Sequence, residues 1–147
     1  YIKAHPTIYD GVQFRSRLEA RWATFFSLVH WKWEYEPYDF IDWTPDFLVC
    51  FPCRHSECNG YHELLAEVKP YRHISEFEGH PCMDHDFGEG IPADGGAALG
   101  NHPLVSRWCI CHGHGGGEED IEFRVSGDLI ELWSKAGNLV RWNGQKT

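Results

Sequence analysis

The chain has 147 residues, 42% of them apolar, with seven Trp, six Tyr and nine Phe, which is enough to bury a core of its own. A net charge of −9 counts against a broad, non-specific nucleic-acid surface, since such surfaces are basic. No run approaches the roughly 18 apolar residues of a membrane helix, and no cationic stretch followed by an apolar one predicts a secretory signal.

Thr7 to Phe14 reads as a short hairpin turning at Asp10-Gly11. A helix is expected over about residues 17–30. Ser16 is its N-cap, Glu19 stands where a capping box requires it, and Leu18, Trp22, Phe25, Phe26 and Val29 form the apolar stripe. Trp31 to Glu36 alternates aromatic and charged residues, as a half-buried strand does, and Pro37 ends it. Phe40 to Cys50 is expected as a strand with a bulge or an edge position at Pro45, and Leu64 to Lys69 as a central one. Residues 76–120 are rich in Gly, His, Cys and acids and predict an irregular insertion. Ile121 to Val125 suggests a strand, Leu129 to Ala136 a short helix stopped by Gly137-Asn138, and Leu139 to Trp142 a last strand. The expected organisation is a single domain, with its core over about 7–71 and 121–147.

Chemistry concentrates in Thr44-Pro45-Asp46-Phe47 and Glu67-Val68-Lys69. Residues i and i+2 of a strand share a face, so Glu67 and Lys69 point the same way. If their strand neighbours that of Asp46, two carboxylates and an ammonium converge. Paired carboxylates suit a hard divalent cation such as Mg²⁺ or Mn²⁺. A lysine beside it can orient or deprotonate a water and stabilise developing negative charge, which is what phosphodiester hydrolysis requires.

All six cysteines lie between Cys50 and Cys111, and eight of the ten histidines between His55 and His114. Cys and His enriched together favour zinc over disulfides. Cys50, Cys53, Cys58 and His62 have the spacing of a small tetrahedral knuckle, with His55 as a competing ligand. A second group holds His80, Cys82 and His85, then Cys109, Cys111, His112 and His114. It forms its own site or shares cysteines with the first, for example Cys50 and Cys53 with Cys109 and Cys111. Trp31, Trp33, Tyr35 and Trp43 read as core packing, or as a platform for unpaired bases.

Four stretches together resemble the PD-(D/E)xK nuclease superfamily, and its small phage-type members most. They are Phe14 to Trp22, Trp33 to Pro37, Thr44 to Phe47 and Glu67 to Lys69. The resemblance spans roughly residues 7–71. It implies an α/β fold with a restriction-endonuclease-like core, a mixed central sheet flanked by helices, to which this chain adds its own Cys/His insertion, expected to be zinc-stapled. It implies a Mg²⁺- or Mn²⁺-dependent deoxyribonuclease. Asp46 and Glu67 would be metal ligands, the Val68 carbonyl a third, Lys69 would handle the attacking water, and Glu19 would reach the site from its helix. Arg15, Arg17 and Arg21 are candidates for phosphate contacts with DNA, or a solvated helix face. Small nucleases of this type often pair as homodimers, and the expected compartment is the cytoplasm, for a phage protein that of the host. Two other readings stay open: a non-catalytic binding module on the same scaffold, which the net charge favours, and an RNA-directed nuclease.

Overall fold

The structure is a computed structural model that describes residues 7–53, 58, 60–84, 87, 90, 91, 93–111, 116–125 and 127–144. Strands β1 (Thr7–Tyr9) and β2 (Val12–Phe14) form the expected hairpin, with Asp10 and Gly11 both at positive φ in its turn. Helix α1 (Arg17–Leu28) follows, and the Ser16 hydroxyl accepts the Glu19 N–H at 3.1 Å. The return half of a capping box is redirected. Glu19 accepts the N–H of Arg15 rather than that of Ser16, which frees its carboxylate to face the sheet.

Six strands make the main sheet in sequential order: β3 (Lys32–Tyr35), β4 (Phe47–Pro52), β5 (Tyr61–Val68), β6 (Gly95–Leu99), β7 (Ser106–Cys111) and β8 (Gly116–Glu119). β5 and β6 run parallel and every other neighbouring pair antiparallel, so the sheet is mixed. The expected strand over Phe40 to Cys50 starts only at Phe47, and residues 37–46 form a loop.

Alternation decides which side of the sheet is core. Phe47, Val49 and Phe51 of β4, Leu64, Ala66 and Val68 of β5, and Trp108 and Ile110 of β7 share one face with Trp22, Phe25 and Phe26 of α1. Trp133, Ala136 and Val140 of the second helix, α2 (Leu129–Gly144), pack into the same cluster. Both helices therefore cover one face. The other is covered by two short 3-10 helices, Ile74–Phe77 and Pro81–Met83, whose Phe77 and Cys82 pack on Ala98 of β6.

Three further expectations are corrected. Residues 95–119 are not an irregular insertion but supply β6, β7 and β8. The tail is one helix, not a helix and a strand. Gly137 lies mid-helix against Arg21, where an added Cβ would come within 2.8 Å of the guanidinium carbon, so its lack of a side chain serves the helix–helix contact. Residues 121–123 form a 3-10 helix rather than a strand. Among the described residues no helix is long and apolar enough to cross a membrane.

Candidate active site

Three strand ends meet at one end of the sheet. β3 and β4 pair Tyr35 with Phe47, and one step on the Glu36 N–H donates to the Asp46 carbonyl at 2.8 Å. β4 and β5 pair Phe47 with Ala66, and the Asp46 N–H donates to the Ala66 carbonyl at 2.9 Å. The paired ladder ends there; beyond it the Val68 N–H holds the Asp46 side chain, close enough to Glu67 for the two charges to act on each other. Asp46, Glu67 and Glu19 are only 3%, 7% and 6% exposed. Three acids held this far from water form a cluster with a strong demand for positive charge.

That demand is met in part by neighbouring side chains. Nη2 of Arg15 lies 2.9 Å from Oδ1 of Asp46, 3.0 Å from Glu36 and 3.8 Å from Glu19. Nζ of Lys69 lies 3.3 Å from Oε2 of Glu67, as the i, i+2 spacing predicts. The Val68 N–H donates to Oδ2 of Asp46 at 2.8 Å, so Val68 meets Asp46 through its amide. Burial, reinforced by the negative charge of Glu67, pushes the Asp46 carboxyl up to about 8, although the Val68 N–H and Arg15 pull the other way. At Lys69 burial favours the neutral amine, but Glu67 and Asp46 outweigh it and its pKa is raised, so the side chain is an ammonium at neutral pH.

Trp43, Tyr35 and His80, which the sequence offers as packing, base-stacking or zinc-binding groups, instead touch the acids, and Glu36 joins them. The Trp43 indole N–H donates to Oε1 of Glu67 at 3.0 Å, so this aromatic orients a carboxylate instead of packing in the main core. Nδ1 of His80 accepts the Cys82 N–H at 3.0 Å, which in the neutral ring leaves the proton on Nε2, 3.8 Å from Glu67. Burial lowers the His80 pKa, with Glu67 opposing. His80 thus faces Glu67. The Tyr35 hydroxyl donates to Oε1 of Glu19 at 2.8 Å. Glu36 has φ +49°, a strained value for a non-glycine residue, and its peptide bond closes onto Asp46. Tyr35-Glu36-Pro37 was the available signal, since a residue before proline is disfavoured in the α region.

The three arginines separate. Arg15 belongs to the acidic cluster. Arg17 is exposed on the first turn of α1. Arg21 donates from Nε and Nη2 to the Trp133 carbonyl at 3.0 and 2.8 Å and stacks 4.1 Å over the Trp133 ring, so it ties α1 to α2.

The cysteines also separate. Cys50, Cys53, Cys58, Cys82 and Cys109 are reduced. Cys53, Cys58 and His62 bring their donor atoms within 4.8 Å of one another. Cys50 is not in that group, because its odd-even position on β4 turns it to the opposite face from Phe51 and toward Lys32 and Glu63. Cys82 and Cys109 are buried together beneath the second face. Cys109 alternates with Trp108 and Ile110, so the sheet itself separates it from Cys53. The side chain of Cys111, and His55, His85, His112 and His114, lie outside the described residues.

Set against known proteins, the chain matches no family model, no curated protein and no solved structure.

Proposed function

We propose that this chain is a metal-dependent phosphodiesterase of the PD-(D/E)xK type that hydrolyses DNA. The observation that carries the reading is the end of the β4–β5 ladder, where the Val68 N–H holds the Asp46 carboxylate within reach of the Glu67 charge and Lys69 stands against Glu67. A hard divalent cation fits this donor set. The donors are carboxylate oxygens, they are buried, and burial together with the charge of Glu67 raises Asp46. Arg15 already serves that charge in part, and its side chain, 62% exposed, has a route out into solvent.

Asp46 and Glu67 would hold Mg²⁺ or Mn²⁺, with the Val68 carbonyl as a third oxygen and Glu19 in support. Such an ion, when bound, neutralises phosphate charge and acidifies a coordinated water. Lys69, already protonated, acts as a donor that orients the attacking water and stabilises charge developing on the phosphate, rather than as the base. The Trp43 indole N–H holds the rotamer of Glu67, and His80 stands 3.8 Å from it. Arg15, once displaced, borders the site and suits phosphate oxygens, and Arg17, exposed on the first turn of the same helix, is a second candidate for the phosphate backbone.

The test is a cleavage panel over duplex, single-stranded, flapped and branched DNA, with RNA alongside, in Mn²⁺. Cleavage of at least one DNA, lost in Lys69→Ala with the thermal midpoint unchanged, is the expected result. A Lys69→Ala variant as fast as the parent overturns it. If RNA alone is cut, the substrate assignment fails and the chemistry stands.

One observation favours a second reading, a non-catalytic scaffold: Arg15 neutralises the acidic cluster internally, on a chain of net charge −9. Calorimetry without a Mn²⁺ binding isotherm, together with no cleavage on any substrate, would select it.

A further inference from the structure

β4 and β5 carry the Asp46–Glu67 pair at one end of their ladder. A different set of donors stands at the other. Phe51 pairs with His62, and the Cys53 N–H donates to the Gly60 carbonyl at 2.9 Å, closing the hairpin. Cys53 comes just after β4, Cys58 stands in the connection, and His62 is the second residue of β5. Cys58 Sγ is 3.3 Å from His62 Nε2, and all three donor atoms lie within 4.8 Å of one another. Around a tetrahedral zinc, with Zn–S near 2.3 Å and Zn–N near 2.0 Å, neighbouring donors lie roughly 3.6 Å apart. The side chains are thus already gathered at close to coordination spacing.

The surroundings complete the case. Cys53 and His62 are buried. Nδ1 of His62 lies 3.4 Å from Oδ2 of Asp94, within ion-pair reach though not hydrogen-bonded to it, which places a carboxylate on the side of the ring away from Nε2. Arg124, in a two-pronged contact with Glu119 at 2.8 and 2.9 Å, also hydrogen-bonds Cys53. Two thiolates and an imidazole select a softer cation than Mg²⁺ or Mn²⁺.

We propose that Cys53, Cys58 and His62 bind one structural zinc ion, which clamps the β4–β5 hairpin at the end remote from Asp46 and Glu67. Cys50 takes no part. The clamp pins the register of the two strands, and a slip of one residue would turn Asp46 and Glu67 to the wrong face. The site stands apart from the phosphodiesterase reading. Its donors are sulfur and nitrogen instead of oxygen, and its test needs no cleavage.

The whole chain, produced with zinc and desalted under reductant, is assayed for metal by elemental analysis. Cys58→Ser and His62→Ala should each hold one zinc ion fewer per chain than the parent, and Cys50→Ser as many. Equal zinc in Cys58→Ser and the parent overturns the proposal, as does a parent that purifies without stoichiometric zinc and takes none up. Should those variants fail to fold, the parent itself is stripped with a strong chelator. A lower thermal midpoint that Zn²⁺ restores and Mg²⁺ does not supports the clamp. An unchanged midpoint overturns it.

Discussion

Arg15 reaches Asp46 with Nη2 at 2.9 Å from Oδ1, while the Val68 N–H holds Oδ2, so both oxygens of this buried carboxylate are engaged. The same Arg15 nitrogen is 3.0 Å from Glu36. A cation arriving at Asp46 must compete with that guanidinium. Arg15→Gln should therefore tighten Mn²⁺ binding, on the order of tenfold for about 1.4 kcal/mol of relieved competition. The gain is kept modest because the Arg15 side chain is largely exposed and its ion pairs are screened. Titration calorimetry of the two proteins checks it, and weaker binding in Arg15→Gln would show that the arginine supports the ion.

The raised pKa of Asp46 makes the metal-free protein sensitive to pH. Its folded value, about 8, lies above the ordinary carboxyl value of 3.8. Between those values the native state holds a proton that the unfolded chain has released. Stability must then fall as pH rises from about 4 to about 8 and level off above. Each pKa unit corresponds to about 1.4 kcal/mol, so the full loss is on the order of a few kcal/mol. Denaturant titrations in chelator at pH 5 and pH 8 should show this slope in the parent and little of it in Asp46→Asn. Equal slopes would mean that Asp46 is ionised throughout.

Lys69 and Trp43 both engage Glu67, at Oε2 and Oε1, but with different consequences. On the proposed function, Lys69→Ala removes a charged donor beside the reacting phosphate and should cost 10²-fold or more in kcat, within the range of about 10² to 10⁴ for such groups. Trp43→Phe keeps the ring but loses one hydrogen bond to a charged group, worth about 1.5 to 3 kcal/mol. As a positioning change it should weaken Mn²⁺ binding and leave the pH profile of kcat in place. A Trp43→Phe variant with normal Mn²⁺ affinity would show that Lys69 and His80 suffice to orient Glu67.

The acidic cluster was legible because its logic is short-range. Glu67 and Lys69 share a face by strand alternation, and Asp46 stands directly before a strand of the same apolar character. The later strands were hidden because their composition answers to close backbone approach. A Cβ on Gly96 would lie 2.1 Å from the Cys82 carbonyl oxygen, and one on Gly95 2.1 Å from that of Cys109. β6 must therefore be Gly-Gly-Ala-Ala-Leu, a run without the aromatic and β-branched residues by which strands are recognised. Gly137-Asn138 misled in the same way. Read alone it is a helix stop, yet Arg21 crosses α2 at that glycine. The role of Trp43 had no local signal, since its partner is 24 residues away.

Arg17 and Arg21 stand one helical turn apart and should behave oppositely. Arg21 makes two hydrogen bonds to the Trp133 carbonyl and stacks on the Trp133 ring, and burial lowers its pKa. Arg21→Ala should therefore destabilise the protein by about 2 kcal/mol, the scale of charged hydrogen bonds plus a partly desolvated cation–π contact. DNA affinity should keep its salt dependence in that variant, because Arg21 is committed to α2. Arg17, exposed on the first turn of α1, should do the reverse: Arg17→Ala leaves stability within about 0.5 kcal/mol and lowers the slope of log affinity against log salt by close to one contact, about 0.9 on duplex DNA. Denaturant titration and a salt series of DNA binding separate the two. An unchanged slope in Arg17→Ala would remove Arg17 from the DNA-facing surface.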